Sequence, residues 1–354
     1  MIPRLDIQFP LRRQWNYWFG KQYEAREGEY LVNHARTGIV MALRAALPKG
    51  GRVGVVVYNC HTVANAVVNA GCVPFFADVT EKLTINVESV PVDLDAIVVT
   101  NLFGIRNDVE AIRKKCPRAI IIVDNAHGYG LPVEGDFTVY SINQGKFPAL
   151  GSGGILVINL QSAILNHKSQ IDSMYESLPA YSLLGQLKLF YSMLVKAIAY
   201  SRCMYWLTMK VKGMRETIVR DESRKELRSE RIKEKVIMRK MAPGIRRLYK
   251  AWLPNAETEI EKQKHNAEQI CNLKFQTSNF KFIIGDNAFM AIVKCENPIA
   301  LKAAYAAKGV ETETHFKNAI IWAKQFGYVE GSCPHAEELT KHLLMVPTYV
   351  KIDD

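Results

Sequence analysis

Over its first 160 residues the chain alternates two hydrophobic periods. GRVGVVVYN (51–59), CVPFFADV (72–79), DAIVVTNLFG (95–104), RAIIIVDNAHG (118–128), DFTVYSI (136–142) and GGILVIN (153–159) are short apolar, β-branched runs bounded by Gly, Asn or Asp. They read as buried strands. Between them ARTGIVMALRAAL (35–47), HTVANAVVNAG (61–71) and RNDVEAIRKKC (106–116) carry helical spacing, the second closed by Gly71 as a C-cap. Strands alternating with helices bury both faces of a sheet, so the expected fold is α/β around a mostly parallel sheet. In such sheets ligands sit beyond the carboxyl ends of the strands. Asn101, Asp124 and His127 fall at those ends.

With 354 residues the chain is long enough for two domains. Its character changes twice. Residues 160–240 are helical, basic and rich in Leu, Met and Tyr. From 241 onward helix and strand signals return in KQKHNAEQICNL, FKFII, AFMAIVKC, PIALKAAYAAKGV and AEELTKHLLMVPTY. This predicts a large domain over 1–240 and a smaller C-terminal α/β domain over 241–354. The net charge of +11 is local, because residues 201–250 alone hold 16 Lys or Arg against 6 Asp or Glu. Mixed signs at helical spacing and no interleaved aromatics argue against a nucleic-acid partner. Seven scattered cysteines show no metal spacing and fit reduced thiols, and the start has no secretory h-region, so a cytoplasmic protein is expected. The apolar, basic stretch 182–240 is expected to pack on the core or on a partner subunit. The other reading is a peripheral contact with an anionic membrane.

The chemistry concentrates in GDFTVYSINQGK (135–146), followed four residues later by the glycine-rich GSGGILVIN. A lysine just past a buried strand is costly unless something there needs it. Asp124 ends one strand, Ser141 and Lys146 follow the next, and Ala35-Arg36-Thr37 open a helix whose N–H groups suit a phosphate. A carboxylate, a lysine and a phosphate cradle at sheet ends are what pyridoxal phosphate requires. The lysine bonds the cofactor covalently, and the carboxylate keeps the pyridine nitrogen protonated. No metal site is expected.

These motifs resemble the DegT/DnrJ-type sugar aminotransferases, which are fold-type-I pyridoxal-phosphate enzymes. GDFTVYSINQGK with its glycine-rich turn is similar to the family's lysine motif, and IIVDNAHGYG to its aspartate strand. HARTGIVMALRAAL is similar to the phosphate-binding helix start, and VVVYNCHTVANAVVNAGCVPFFADV to the segment whose aromatic stacks on the cofactor. The resemblance extends through KHNAEQICNL and SCPHAEELTKHLLMVPTY. It implies a seven-stranded large-domain sheet, Lys146 and Asp124 as catalytic residues, and Ala35, Arg36, Thr37, His127 and Ser141 at the cofactor. It also implies a homodimer and transfer of an amino group from glutamate to a nucleotide-linked keto-deoxysugar in polysaccharide or glycan biosynthesis. The chain departs from the pattern in places. The stacking position falls on Cys60, with His61 adjacent, and Asn101 stands where many members have histidine. The Asn-Tyr-Arg-Met segment survives only as MRKM, with Lys240 at the arginine. Asn101 and His315 are the expected substrate contacts. The competing readings are another fold-type-I reaction and a non-catalytic binding or scaffold subunit.

Overall fold

The computed structural model describes residues 2–3, 6–161, 167–201, 203–208, 210, 233–272, 280–314 and 316–349. Helix α1 (Leu11–Phe19) precedes strand β1 (Glu29–Val32), α2 (Ala35–Ala46), β2 (Arg52–Val56), α3 (His61–Asn69) and β3 (Val73–Ala77). Then come β4 (Ala96–Thr100), α4 (Val109–Lys115), β5 (Ile120–Asn125), β6 (Phe137–Ser141) and β7 (Gly154–Ile158). These seven strands form one sheet in the order β1-β7-β6-β5-β4-β2-β3. The central neighbours are parallel, and only β7 runs against its neighbours. This is the fold-type-I large-domain sheet. β1 was not among the strands legible in the sequence. Four residues that open on charged Glu29, between Gly28 and Asn33, give too short an apolar run to read as a strand, and β1 is held instead by its register on β7.

The sheet's two faces bury separate cores. Ile39, Met41 and Leu43 of α2 pack with Val55, Val98, Phe137 and Leu156 on one side. Ile97, Val99, Ile121, Val123 and Phe103 pack with Met290, Ile292 and Phe316 on the other. This explains why β4 and β5 are continuous apolar runs rather than alternating ones. Further on, α5 (Lys168–Ser177), α6 (Leu183–Ala199), α7 (Pro243–Trp252) and α8 (Ala256–Cys271) lead to β8 (Phe280–Ile284), β9 (Met290–Cys295), α9 (Pro298–Ala307), α10 (Ala319–Lys324), α11 (Pro334–His342) and β10 (Leu343–Pro347). β10, β9 and β8 make a three-stranded antiparallel sheet. Among the described residues no helix is long and apolar enough to cross a membrane.

Candidate active site

Parallel strands deliver their carboxyl ends to one edge of the sheet, where β4 and β5 place Thr100 and Asp124 side by side and β6 ends in Ser141. With His34, Ala35, Arg36, Asn59, Cys60, His127, Asn143, Gln144 and Lys146 they line a cavity of about 210 Å³.

The glycine-rich turn is what lets this cavity close. At Gly154 a Cβ would lie 2.3 Å from the Ala35 amide nitrogen, so only glycine lets β7 pass beneath the start of α2. Gly153 has φ +138, outside the range of other residues, and its N–H donates to Asn143 Oδ1 at 2.9 Å. The same oxygen lies 3.2 Å from His34 Nδ1. His34 caps α2 without a side-chain bond to the first-turn N–H groups. Helix ends leave such groups without intrahelical partners, and here they border the cavity with the helix dipole behind them. Burial, together with the neighbouring Arg36, lowers the His34 pKa to about 4, so His34 is a neutral polar wall at physiological pH.

Lys146 faces His127, with Nζ 2.6 Å from Nε2. The Phe103 N–H donates to Nδ1 of the same ring at 3.2 Å. Nδ1 therefore offers its lone pair, the neutral ring carries its proton on Nε2, and Nε2–H donates to Lys146. Only a neutral amine can accept that bond. Burial acts in the same direction and lowers the Lys146 pKa, opposed by Cys60 and Asp124. His127 is fixed by rings on several sides, stacking with Phe103 at 5.4 Å and Phe289 at 5.1 Å between centroids. Phe103 reaches this position at φ +54, a left-handed geometry uncommon for a bulky residue.

Asp124 is 3% exposed. Oδ1 accepts the Ala126 N–H at 3.0 Å and Oδ2 accepts the Thr100 hydroxyl at 3.5 Å. Burial raises its pKa despite those bonds and Lys146. A buried carboxylate so weakly compensated is a seat for a cation. That seat, the start of α2 and the neutral lysine are the donor set that pyridoxal phosphate needs, so the residues present fit the cofactor.

Not every sequence-predicted residue reaches the cavity. Ala35, Arg36, Cys60, Asp124, His127, Ser141 and Lys146 line it. Thr37 does not, because it is buried and its hydroxyl donates to Asn33 at 2.8 Å. His61 turns away to set its ring edge-on to Trp322 at 5.1 Å, which leaves Cys60 as the cavity residue of the pair. Asn101 is fully buried. It donates to Asn125 at 2.7 Å and accepts two Asn107 donors at 2.9 Å, so it braces the β4 end and has no surface for substrate. His315 lies outside the described residues. Sequence reasoning missed Asn59, Thr100, Asn143, Gln144 and His34. Asn143 and Gln144 stood inside the quoted lysine motif, and their polarity between strand and glycine was the available signal.

The fold is that of the fold-type-I large domain, and the residues at its sheet edge have the donor set that pyridoxal phosphate would need. Residues 28–171, which supply the whole β-sheet edge around Lys146, match the model of the DegT/DnrJ/EryC1/StrS aminotransferase family. Over this segment the chain is similar to that aminotransferase family. Among curated proteins none matches. Solved structures are similar over nearly the full length. DesV of S. venezuelae, solved with a ketimine intermediate, has TM-score 0.66 at 17% identity, covering 98% of this chain and 93% of that one. Spr1654 of Streptococcus pneumoniae, assigned as a sugar aminotransferase and solved in its PMP form, has TM-score 0.66 at 14% identity, covering 97% and 86%. GDP-4-keto-6-deoxymannose-3-dehydratase (ColD) has TM-score 0.62 at 16% identity, covering 91% and 84%. At these identities the likeness shows the fold.

Proposed function

We propose that this protein is a pyridoxal-phosphate-dependent aminotransferase that moves an amino group from glutamate to a keto carbon of a nucleotide-linked deoxysugar, in polysaccharide or glycan biosynthesis. The observation that carries the reading is Lys146, kept as a neutral amine by His127 in the same cavity as Asp124 and the α2 start. When bound, the cofactor supplies an electron sink for the pair left by a broken Cα–H bond. The chain's own residues do the rest. The N–H groups opening α2 hold the phosphate. Asp124 keeps the ring nitrogen protonated. Lys146 would take the proton from the donor's α-carbon and, in the second half-reaction, return a proton to the acceptor's carbon. His127 Nε2 orients Lys146 for this.

Lys146 also borders a second cavity of about 220 Å³, lined by Asp6, Gln8, Arg13, Lys262, Gln263 and Tyr349 among others. Its mixed polarity, with buried unbonded atoms on Asp6 and Gln263, suits a polyhydroxylated acceptor approaching from that side. In this reading residues 1–240 form the cofactor domain and 241–354 the smaller one, and both border that cavity. The active form is a homodimer located in the cytoplasm.

The test is the visible spectrum of the protein with pyridoxal phosphate. Wild type is expected to show a visible band that bleaches on adding glutamate, and Lys146→Ala to show none. No band in wild type would overturn the reading and favour a non-catalytic subunit.

A further inference from the structure

Helices α1 and α6 each turn one face away from the site, and the proposed reaction does not use those faces. α6 carries apolar residues on both its inward and its outward sides, interrupted by Gln186, Lys188, Ser192 and Lys196. Leu189, Phe190, Leu194 and Ala197 pack inward with buried Met193, while Leu184, Leu187, Tyr191, Val195 and Ile198 recur at three- and four-residue spacing on the exposed side. α1 lies against it. The Tyr17 hydroxyl donates to the Gln186 carbonyl at 2.9 Å, and the Trp18 and Phe190 rings are 5.5 Å apart. α1 has its own outward stripe at four-residue spacing, Leu11, Trp15 and Phe19, between 64% and 81% exposed. Contiguous exposed apolar stripes of this kind mark a surface that something covers.

The charge on these helices says what covers them. Every charged residue of α1 and α6 is basic: Arg12 and Lys188 stand exposed, while Arg13 donates to the Gln8 carbonyl and Lys196 to Gln144 Oε1. The 29 residues from Ser182 to Lys210 contain no acidic residue, and the chain from 201 to 250 has a large basic excess. A second copy on this face would bring like charges together. An anionic bilayer surface would neutralise them and accept the apolar stripe, with Trp and Tyr at headgroup depth. We propose that the outward faces of α1 and α6 form a docking surface for an anionic membrane, which holds the protein at the bilayer without spanning it.

The experiment is flotation of the full-length protein with vesicles of phosphatidylglycerol and phosphatidylcholine, compared with phosphatidylcholine alone. Flotation is expected only with the anionic vesicles, and release is expected at high salt. Each basic residue near such a surface changes partitioning by roughly fivefold, so Arg12→Gln/Lys188→Gln should reduce it roughly 25-fold. Trp15→Ser/Tyr191→Ser should abolish it with the circular dichroism spectrum unchanged, since both side chains are exposed. The proposal is overturned by no flotation with anionic vesicles, or by equal flotation on neutral ones. It is also overturned if the serine variants lower the mass in sedimentation without affecting vesicles, which would assign the face to a second copy.

Discussion

Replacing Asp124 by asparagine separates two opposed effects of its carboxylate. Without cofactor the carboxylate is a cost, since it is buried and accepts one good hydrogen bond from Ala126 and a long one from Thr100. Its folded pKa lies above the ordinary 3.8 because of that burial. A group with a raised folded pKa contributes stability that is fully present below 3.8 and lost as pH rises through the folded value. Asparagine has the same shape, keeps a carbonyl for the Ala126 N–H and does not titrate. The melting temperature of cofactor-free Asp124→Asn should therefore gain on wild type as pH rises from about 4 toward neutrality. With pyridoxal phosphate the sign reverses. A hydrogen bond to a charged group contributes about 1.5–3 kcal/mol. Its loss should weaken cofactor binding roughly 10- to 150-fold. Thermal melts across pH, with and without cofactor, and an absorbance titration read both effects. If Asp124→Asn binds the cofactor within about twofold of wild type, the ring nitrogen does not rest on Asp124, and the residue is only a turn cap.

Two further outcomes follow from the cavity walls. Burial would raise the Cys60 thiol, but the hydrogen bond and charge of His61, with Lys146 and Thr62, outweigh it and bring the pKa down to about 7. Iodoacetamide labelling at Cys60, mapped by mass spectrometry, should rise with a midpoint near that pH and be blocked by bound cofactor; no labelling below pH 8 would contradict the geometry. Gly154→Ala puts a methyl against the Ala35 amide and must push α2 from its place. It should cost about 1–3 kcal/mol of stability and weaken phosphate binding more than Gly71→Ala, which is strained by its positive φ but meets nothing within 4 Å and lies away from the cavity.

The alternation of strands and helices was legible because a sheet buried on both faces needs continuous apolar runs, and β4 and β5 have them. Lys146 and Asp124 were legible because a charge at the end of a buried strand is expensive and therefore informative. β1 was not, since a four-residue edge strand is stabilised by its neighbour rather than by its own pattern. The same limit held at the site. Asn101 sits at a strand end as a substrate contact should, yet its amide is spent on Asn125 and Asn107. Position along a strand is written in the sequence, but where a side chain points depends on which partners lie across the gap.

The choice between Cys60 and His61 turned on the same distinction. Adjacent residues at a helix start diverge in direction, and His61 packs against Trp322 while Cys60 lines the cavity. The sequence by itself determined the kind of sheet, the edge at which chemistry can occur and the lysine that stands there. Tertiary structure decided which side chains face the cavity, and which way the hydrogen bond between His127 and Lys146 runs. That direction is set by an amide at Phe103, 24 residues before the histidine, and such a contact has no local signature.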